Sequence, residues 1–277
     1  MKLSPKSLAQ PNITCRIWEY PKDDCFYFIG LDVAGPEDTG ANSAARVWKD
    51  RPFSLVAEAV GNAPEEVIAK EVYKLGNYYC GYVIENDKRV AYPAWIAIEI
   101  FSYGGVVLSM LLQGSKTYNM EPYGPRIYKM PDMENLRNNI HRPGKQFGWW
   151  AGGGNAHFKR SSVLFPSGRE IFVLASNDED VLPDANGIIE YMNTKQYEKG
   201  RPDPAPGARI DRVVADCLAR LAKRQNLYDG LYPKDIQQRK QEYDFYVDED
   251  EEDGKRKIFF NPLGKPYNSK KKEGWFR

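Results

Sequence analysis

Hydrophobic and polar positions alternate between two regimes along this chain. Cys25-Phe-Tyr-Phe-Ile-Gly-Leu-Asp32-Val-Ala is a dense apolar and aromatic run closed by an acid, the pattern of a buried strand. The cluster from Gly35 to Gly40 reads as a turn. Ala44–Lys49 and Phe53–Ala59 predict two further strands, joined as a hairpin through Asp50-Arg51-Pro52. Ala63-Pro64-Glu65-Glu66 then opens a helix, with proline near its start and acids in its first turn. Val67, Ile68, Val72 and Leu75 give that helix one apolar face.

Tyr92–Ile100 is another apolar strand, followed by Gly104-Gly105 and a helix to about Leu112. Residues 113–160 are rich in turns, Tyr, Trp and Gly and give no clear period. Arg169–Ala175 reads as a short strand, Asn186–Met192 as a strand or the start of a helix, and Arg201–Gly207 as a loop. Asp211–Lys223 is a clear helix: Val213, Val214, Cys217, Leu218 and Leu221 share a face, and Asp211 can cap its start. Three strands, a helix, a strand and a helix, with a final helix, make an α/β domain around a mixed sheet.

This pattern divides the chain into a polar, proline-broken arm (1–24), a folded domain (25–224) and a charged tail (225–277). The tail carries six acids in a row, Asp248–Asp253, then Lys255-Arg256-Lys257, Lys270-Lys271-Lys272 and Trp275-Phe276. It reads as weakly folded, and as a docking segment or a solvated tail.

Charge and composition narrow the chemistry. With 39 basic and 38 acidic residues in 277, the formal charge is +1, so any nucleic-acid surface must be a local patch. Four scattered cysteines without a CxxC spacing, and two histidines, argue against a zinc cage or a histidine-based triad. No apolar run approaches a membrane span, and MKLSPKSLAQPN lacks the apolar core of a signal peptide. Gly35 and Gly40 have the spacing of a phosphate-binding loop, but Ala41-Asn42 stands where that loop needs Lys-Ser/Thr, so it is only a turn.

Three acids remain. Asp32 ends the first buried strand, Glu99 sits in the apolar run Trp95–Phe101, and Asp211 starts a helix. Each has an ordinary explanation: a turn-initiating Asp, a Glu at an exposed strand end, an N-cap. Together they form a constellation of hard oxygen donors, the kind that holds Mg²⁺. Two such ions can activate a water and stabilise the leaving oxygen of a phosphodiester.

FYFIGLD (26–32), Ile96-Ala97-Ile98-Glu99 with Gly104-Gly105, and Ile210-Asp211-Arg212-Val213-Val214-Ala215 resemble the C-terminal nuclease domain of phage terminase large subunits, over about residues 25–223. Phe147-Gly148-Trp149, Arg169–Ala175 and Ile188-Ile189-Glu190 agree with it. The resemblance implies an RNase H-like mixed β-sheet flanked by helices. It implies a two-metal endonuclease, using Mg²⁺ or Mn²⁺, that cuts concatemeric viral double-stranded DNA with little sequence preference. Asp32, Glu99 and Asp211 would be both catalytic and metal-binding.

It also implies a viral protein of the host cytoplasm, working with a terminase small subunit and an ATPase domain, and a C-terminal region that meets the portal of the procapsid. Arg209-Ile210-Asp211 departs from a frequent His-Asp-Asp, and Asn42 stands where an acid is frequent, so the fourth ligand is open between Asp203 and Asp216. For DNA contact the basic residues of the middle region are the candidates: Arg142, Lys145, Lys159 and Arg160, with Lys129 and Arg137. Trp149 and Trp150 read as core rather than as base-stacking platforms, and His141 and His157 as structural. Two other readings share these residues: a resolvase- or transposase-type nuclease, and a portal-docking module.

Overall fold

The computed structural model describes residues 8–10, 13–35, 42–50, 52–85, 87–101, 103–124, 126–168, 171, 184–196, 202–204, 209–228, 246–249 and 256–259. Contacts divide the chain into two compact units, 1–228 and 229–277.

The first unit is built on a six-stranded sheet. Its strands are β1 (Leu8–Gln10), β2 (Ile13–Ile17), β3 (Tyr27–Asp32), β4 (Ser43–Asp50), β5 (Phe53–Gly61) and, after two others, β8 (Trp95–Ile98). Their order is β1-β2-β5-β4-β3-β8. All neighbours are antiparallel except β3 and β8, which are parallel. Three antiparallel strands, then a crossover to a fourth lying parallel beside the first, form the mixed sheet of the RNase H-like class.

The crossover is α1 (Glu65–Tyr78) followed by the hairpin β6 (Cys80–Glu85) and β7 (Lys88–Pro93). α2 (Gly104–Gln113) follows β8. On one face of the sheet, Tyr27, Ile29, Leu31, Val47, Ala57, Ile96 and Ile98 pack with Ile68, Val72 and Leu75 of α1 and Val107 and Leu111 of α2. These positions alternate along their strands, while the residues between them are buried too, as the continuous apolar runs of a buried strand imply.

Beyond α2 lie β9 (Lys129–Met130), α3 (Met133–Arg137), β10 (Gln146–Phe147) and α4 (Ala156–Phe158), which runs into a π-helical segment, Lys159–Leu164. Next come α5 (Ala185–Met192), the paired β11 (Thr194–Gln196) and β12 (Pro202–Pro204), and α6 (Asp211–Tyr228).

α6 covers the other face of the sheet, where buried charge stands among apolar side chains. Arg46 of β4 is fully buried there. Its Nε and Nη2 reach Asp216 at 2.8 and 3.1 Å, and its Nη1 reaches Glu58 at 2.8 Å and also Asp184. Trp48 Nε1 donates to Asp216 at 2.7 Å. Burial pushes the Asp216 carboxyl up to about 6 against these donors. Asp184 caps α5 through the N–H groups of Asn186 and Gly187. Burial opposes its charge, but Arg46 and Arg212 hold its carboxyl below the usual range.

Several expected boundaries shift. The arm over 1–24 contains β1 and β2, and β2 pairs with β5 as a member of the sheet. The strand Tyr92–Ile100 is divided: β7 ends at Pro93 and pairs with β6, while β8 joins the main sheet. Of the strand expected at Arg169–Ala175 only Ile171 is among the described residues, and it is helical. Asn186–Met192 is helix, and the loop Arg201–Gly207 carries β12. α6 continues past residue 224 to Tyr228. In the second unit β13 (Tyr246–Glu249) pairs with β14 (Arg256–Phe259), so part of the charged tail is a hairpin.

Candidate metal centre

Asp32 is the last residue of β3, where the apolar run ends. Leu31 is in register with Ile98, and Glu99 N donates to Leu31 O at 3.0 Å, so the parallel ladder continues one step past β8. That step sets Glu99 beside Asp32. Alternation puts both on the α6 face, with Gly30 and Ala97. Across the sheet Asp32 pairs with Ala44. Two residues before Ala44, Asn42 N donates to Asp211 Oδ2 at 3.2 Å. The start of α6 is thereby fastened beside the end of β3, through an amide 169 residues away from Asp211. The Asp211 carboxylate reaches out of its helix to this amide, and the loop after Asp32 is held by Ser43 Oγ, which accepts from Ala34 N at 3.1 Å.

Asp32 senses the other two acids. Burial, then Glu99 and Asp211, push the Asp32 carboxyl well above the ordinary range, with a further push from Glu190 and an opposing pull from Arg160. Burial raises Asp211 to about 6, against the pull of the Asn42 amide. Carboxylates gathered in this way favour a cation among them.

Sequence reasoning passed over Glu190 as a member of this group. It is buried on α5, and its oxygens accept from Arg212 N at 2.8 Å and Arg212 Nη1 at 2.6 Å. Arg212 Nε in turn reaches Glu58 at 3.0 Å. Glu190 thus anchors the residue next to Asp211. In the sequence it is the acid of Ile188-Ile189-Glu190, a piece that agrees with the resemblance but carries no assigned role there.

The candidates for a fourth ligand part ways. Asp216 is committed to Arg46 and Trp48 beneath the sheet and does not join the group. Asp203 lies in β12, in register with Lys195.

The basic candidates also separate. Arg160 Nη2 lies 2.9 Å from Glu99 Oε1. Lys159 is buried and donates to Gly152 O at 3.2 Å. Arg142, Lys145 and Arg137 are exposed. Lys129 Nζ lies over the Phe147 ring at 4.7 Å. Trp149 is fully buried as expected, but Trp150 is 37% exposed and faces Phe101, two residues beyond Glu99, with ring centroids 6.1 Å apart. His141 is buried, which drives its pKa down to about 3 and keeps it neutral.

The donor set suits a hard divalent ion: oxygen only, from Asp32, Glu99 and Asp211, with neither histidine nor cysteine in the group. Among the described residues no three acids, histidines or cysteines stand close enough as placed to enclose one ion. Glu99 is turned to Arg160 and Asp211 to Asn42.

No protein-family profile matches the chain, and no curated protein does. Solved structures do. Its fold is similar to phage large-terminase nuclease domains. One is the large terminase nuclease from thermophilic phage G20c with bound magnesium: 11% identity, TM-score 0.45, covering 79% of this chain and 91% of that one. Another is the Thermus phage P74-26 large terminase nuclease domain: 15% identity, TM-score 0.44, covering 79% and 89%. The G20c nuclease has also been solved with bound cobalt, at 12% identity and TM-score 0.45, covering 79% and 91%. This likeness concerns the path of the chain.

No helix among the described residues is long and apolar enough to cross a membrane.

Proposed function

We propose that this chain is a divalent-metal-dependent nuclease that hydrolyses phosphodiester bonds of double-stranded DNA. The observation that carries the reading is the convergence of Asp32, Glu99 and Asp211 at neighbouring ends of β3, β8 and α6, where burial and the other two acids push Asp32 up. Asp32, Glu99 and Asp211 would hold Mg²⁺ or Mn²⁺, two ions in the fullest form of the site. The bound ions would supply an activated water and stabilise the leaving oxygen.

The protein's own contribution is placement. The β3–β8 ladder sets two carboxylates side by side, Asn42 N fixes the third, and the Glu190–Arg212 pair holds the helix that carries it. Arg160 brings positive charge to the mouth of the site, and Arg142 and Lys145 are exposed for backbone phosphates. The sequence resemblance to phage terminase large subunits directs the activity to viral DNA during genome packaging, with the portal, the small subunit and an ATPase domain as partners.

The test is nicking and linearisation of supercoiled plasmid with Mg²⁺, Mn²⁺, Ca²⁺ or EDTA, beside Asp32→Asn. Cleavage with Mg²⁺ or Mn²⁺ that the substitution abolishes is expected. Cleavage that survives Asp32→Asn rejects the site.

A further inference from the structure

Arg46, Arg212 and Arg160 each meet acids of this region, and they are held in two different ways. Arg46 is fully buried and divided among three carboxylates. Arg212 is 14% exposed and pairs with Glu58, Asp184 and Glu190. Both sit inside a ring of fixed partners, and removing either would strand buried charge. Arg160 differs. Its guanidinium meets Glu99 through one Nη2–Oε1 contact while 34% of its side chain faces solvent. It projects from the π-helical segment Lys159–Leu164, a form of helix that is rare and recurs at functional sites. Its neighbour Lys159 is tied to Gly152 O, so the segment is anchored on one side of Arg160.

We propose that Arg160 is a displaceable counter-ion: it neutralises Glu99 while the acids hold no cation, and releases Glu99 when a divalent ion enters. The inference rests on the carboxylate–metal reading given above. Its physical basis is competition for one oxygen. Glu99 Oε1 cannot turn fully to a metal while it accepts from Arg160, and a guanidinium beside an incoming dication adds repulsion. A partly exposed arginine loses little by swinging into water, whereas the buried Arg46 and the many-partnered, half-buried Arg212 would lose a great deal. Once released at the mouth of the site, the same guanidinium can take a phosphate oxygen. The ion pair therefore sets how readily the site loads, and Arg160 acts on the reaction by positioning Glu99.

Mn²⁺ affinity of the metal-stripped full chain, measured by calorimetry without DNA, tests this. Arg160→Gln should bind Mn²⁺ about tenfold more tightly than the unaltered chain, the scale of one lost charge-assisted contact. Glu99→Gln should bind more weakly, and adding Arg160→Gln to it should give no further gain. If the unaltered chain binds Mn²⁺ and Arg160→Gln binds it equally or less well, Arg160 is a brace and the inference fails while the metal site stands. If neither binds Mn²⁺, both readings fail.

A second measurement avoids the variant. Arginine side-chain NMR of the unaltered chain, with the Arg160 resonance assigned through Arg160→Lys, should show its guanidinium rotation released as Mg²⁺ is added. Rotation that stays hindered at saturation overturns the proposal.

Discussion

Gly30 of β3 lies directly beneath Ala215 of α6, so close that a Cβ on Gly30 would overlap the Ala215 carbonyl oxygen. β3 carries Asp32 and α6 carries Asp211. The absent side chain therefore lets the two acid-bearing elements approach each other. Gly30→Ala should cost about 3 kcal/mol, the upper end for overpacking, because the obstacle is backbone and cannot change rotamer. Urea denaturation of the metal-free protein checks it, and a loss under about 1 kcal/mol would show that α6 can shift aside.

Arg46 and its three acids make the α6 face a charged interior. Arg46→Met leaves Glu58, Asp184 and Asp216 without their shared cation and should destabilise by about 3–5 kcal/mol. Asp216→Asn keeps an acceptor for Trp48 and should cost about 1–3 kcal/mol while leaving Mn²⁺ affinity unchanged. A loss of Mn²⁺ affinity in Asp216→Asn would return Asp216 to the list of ligands.

pH should act on the metal-free protein through Asp211. Its carboxyl is raised in the fold to about 6 from an ordinary 3.8. The folded state therefore binds the proton more tightly than the unfolded one. That contribution is complete below about 4 and is lost as pH rises through about 6. In EDTA, the unaltered protein should lose stability relative to Asp211→Asn across this window. A constant difference between the two from pH 4 to 7 would contradict the environment assigned to Asp211.

The end of the first unit should be sharp. Gln225 behaves like a piece of strand: its side chain accepts from Lys129 N at 2.9 Å and donates to Lys129 O at 2.5 Å. Asn226 beside it is buried. A chain ending at 228 should melt within a degree or two of the full chain and keep any nuclease activity. One ending at 224 should melt several degrees lower, since two half-buried backbone groups lose their partners and the buried Gln225 and Asn226 are removed. Equal melting of the two would remove Gln225 from the fold's support.

Much of this protein was legible one residue type at a time. The strands β3, β4 and β5 follow from short apolar runs, because both of their faces are buried, and the long helix α6 follows from apolar residues repeating at the helical period. Asp32 and Glu99 were legible for the complementary reason: a carboxylate in or at the end of an apolar run has to be satisfied by something, while Asp211 was legible as a helix start. Less was readable where pairing is remote. β2 looked like a polar arm because its strand character comes from lying against β5, with Ile13 opposite Gly61 and Ile17 opposite Ala57. The break between β7 and β8 reflects two different partners for one apolar run.

The sequence by itself determined the α/β class, the main elements and the three acids at their ends, because periodicity and chain punctuation are local properties. Only the tertiary structure decided which charges meet. Asp216 went to Arg46 across 170 residues, Glu190 to Arg212, and Glu99 to Arg160 across 61. Charge pairing depends on distance in space rather than along the chain, and for Asp216 and Arg46 the packing of α6 against β4 sets that distance.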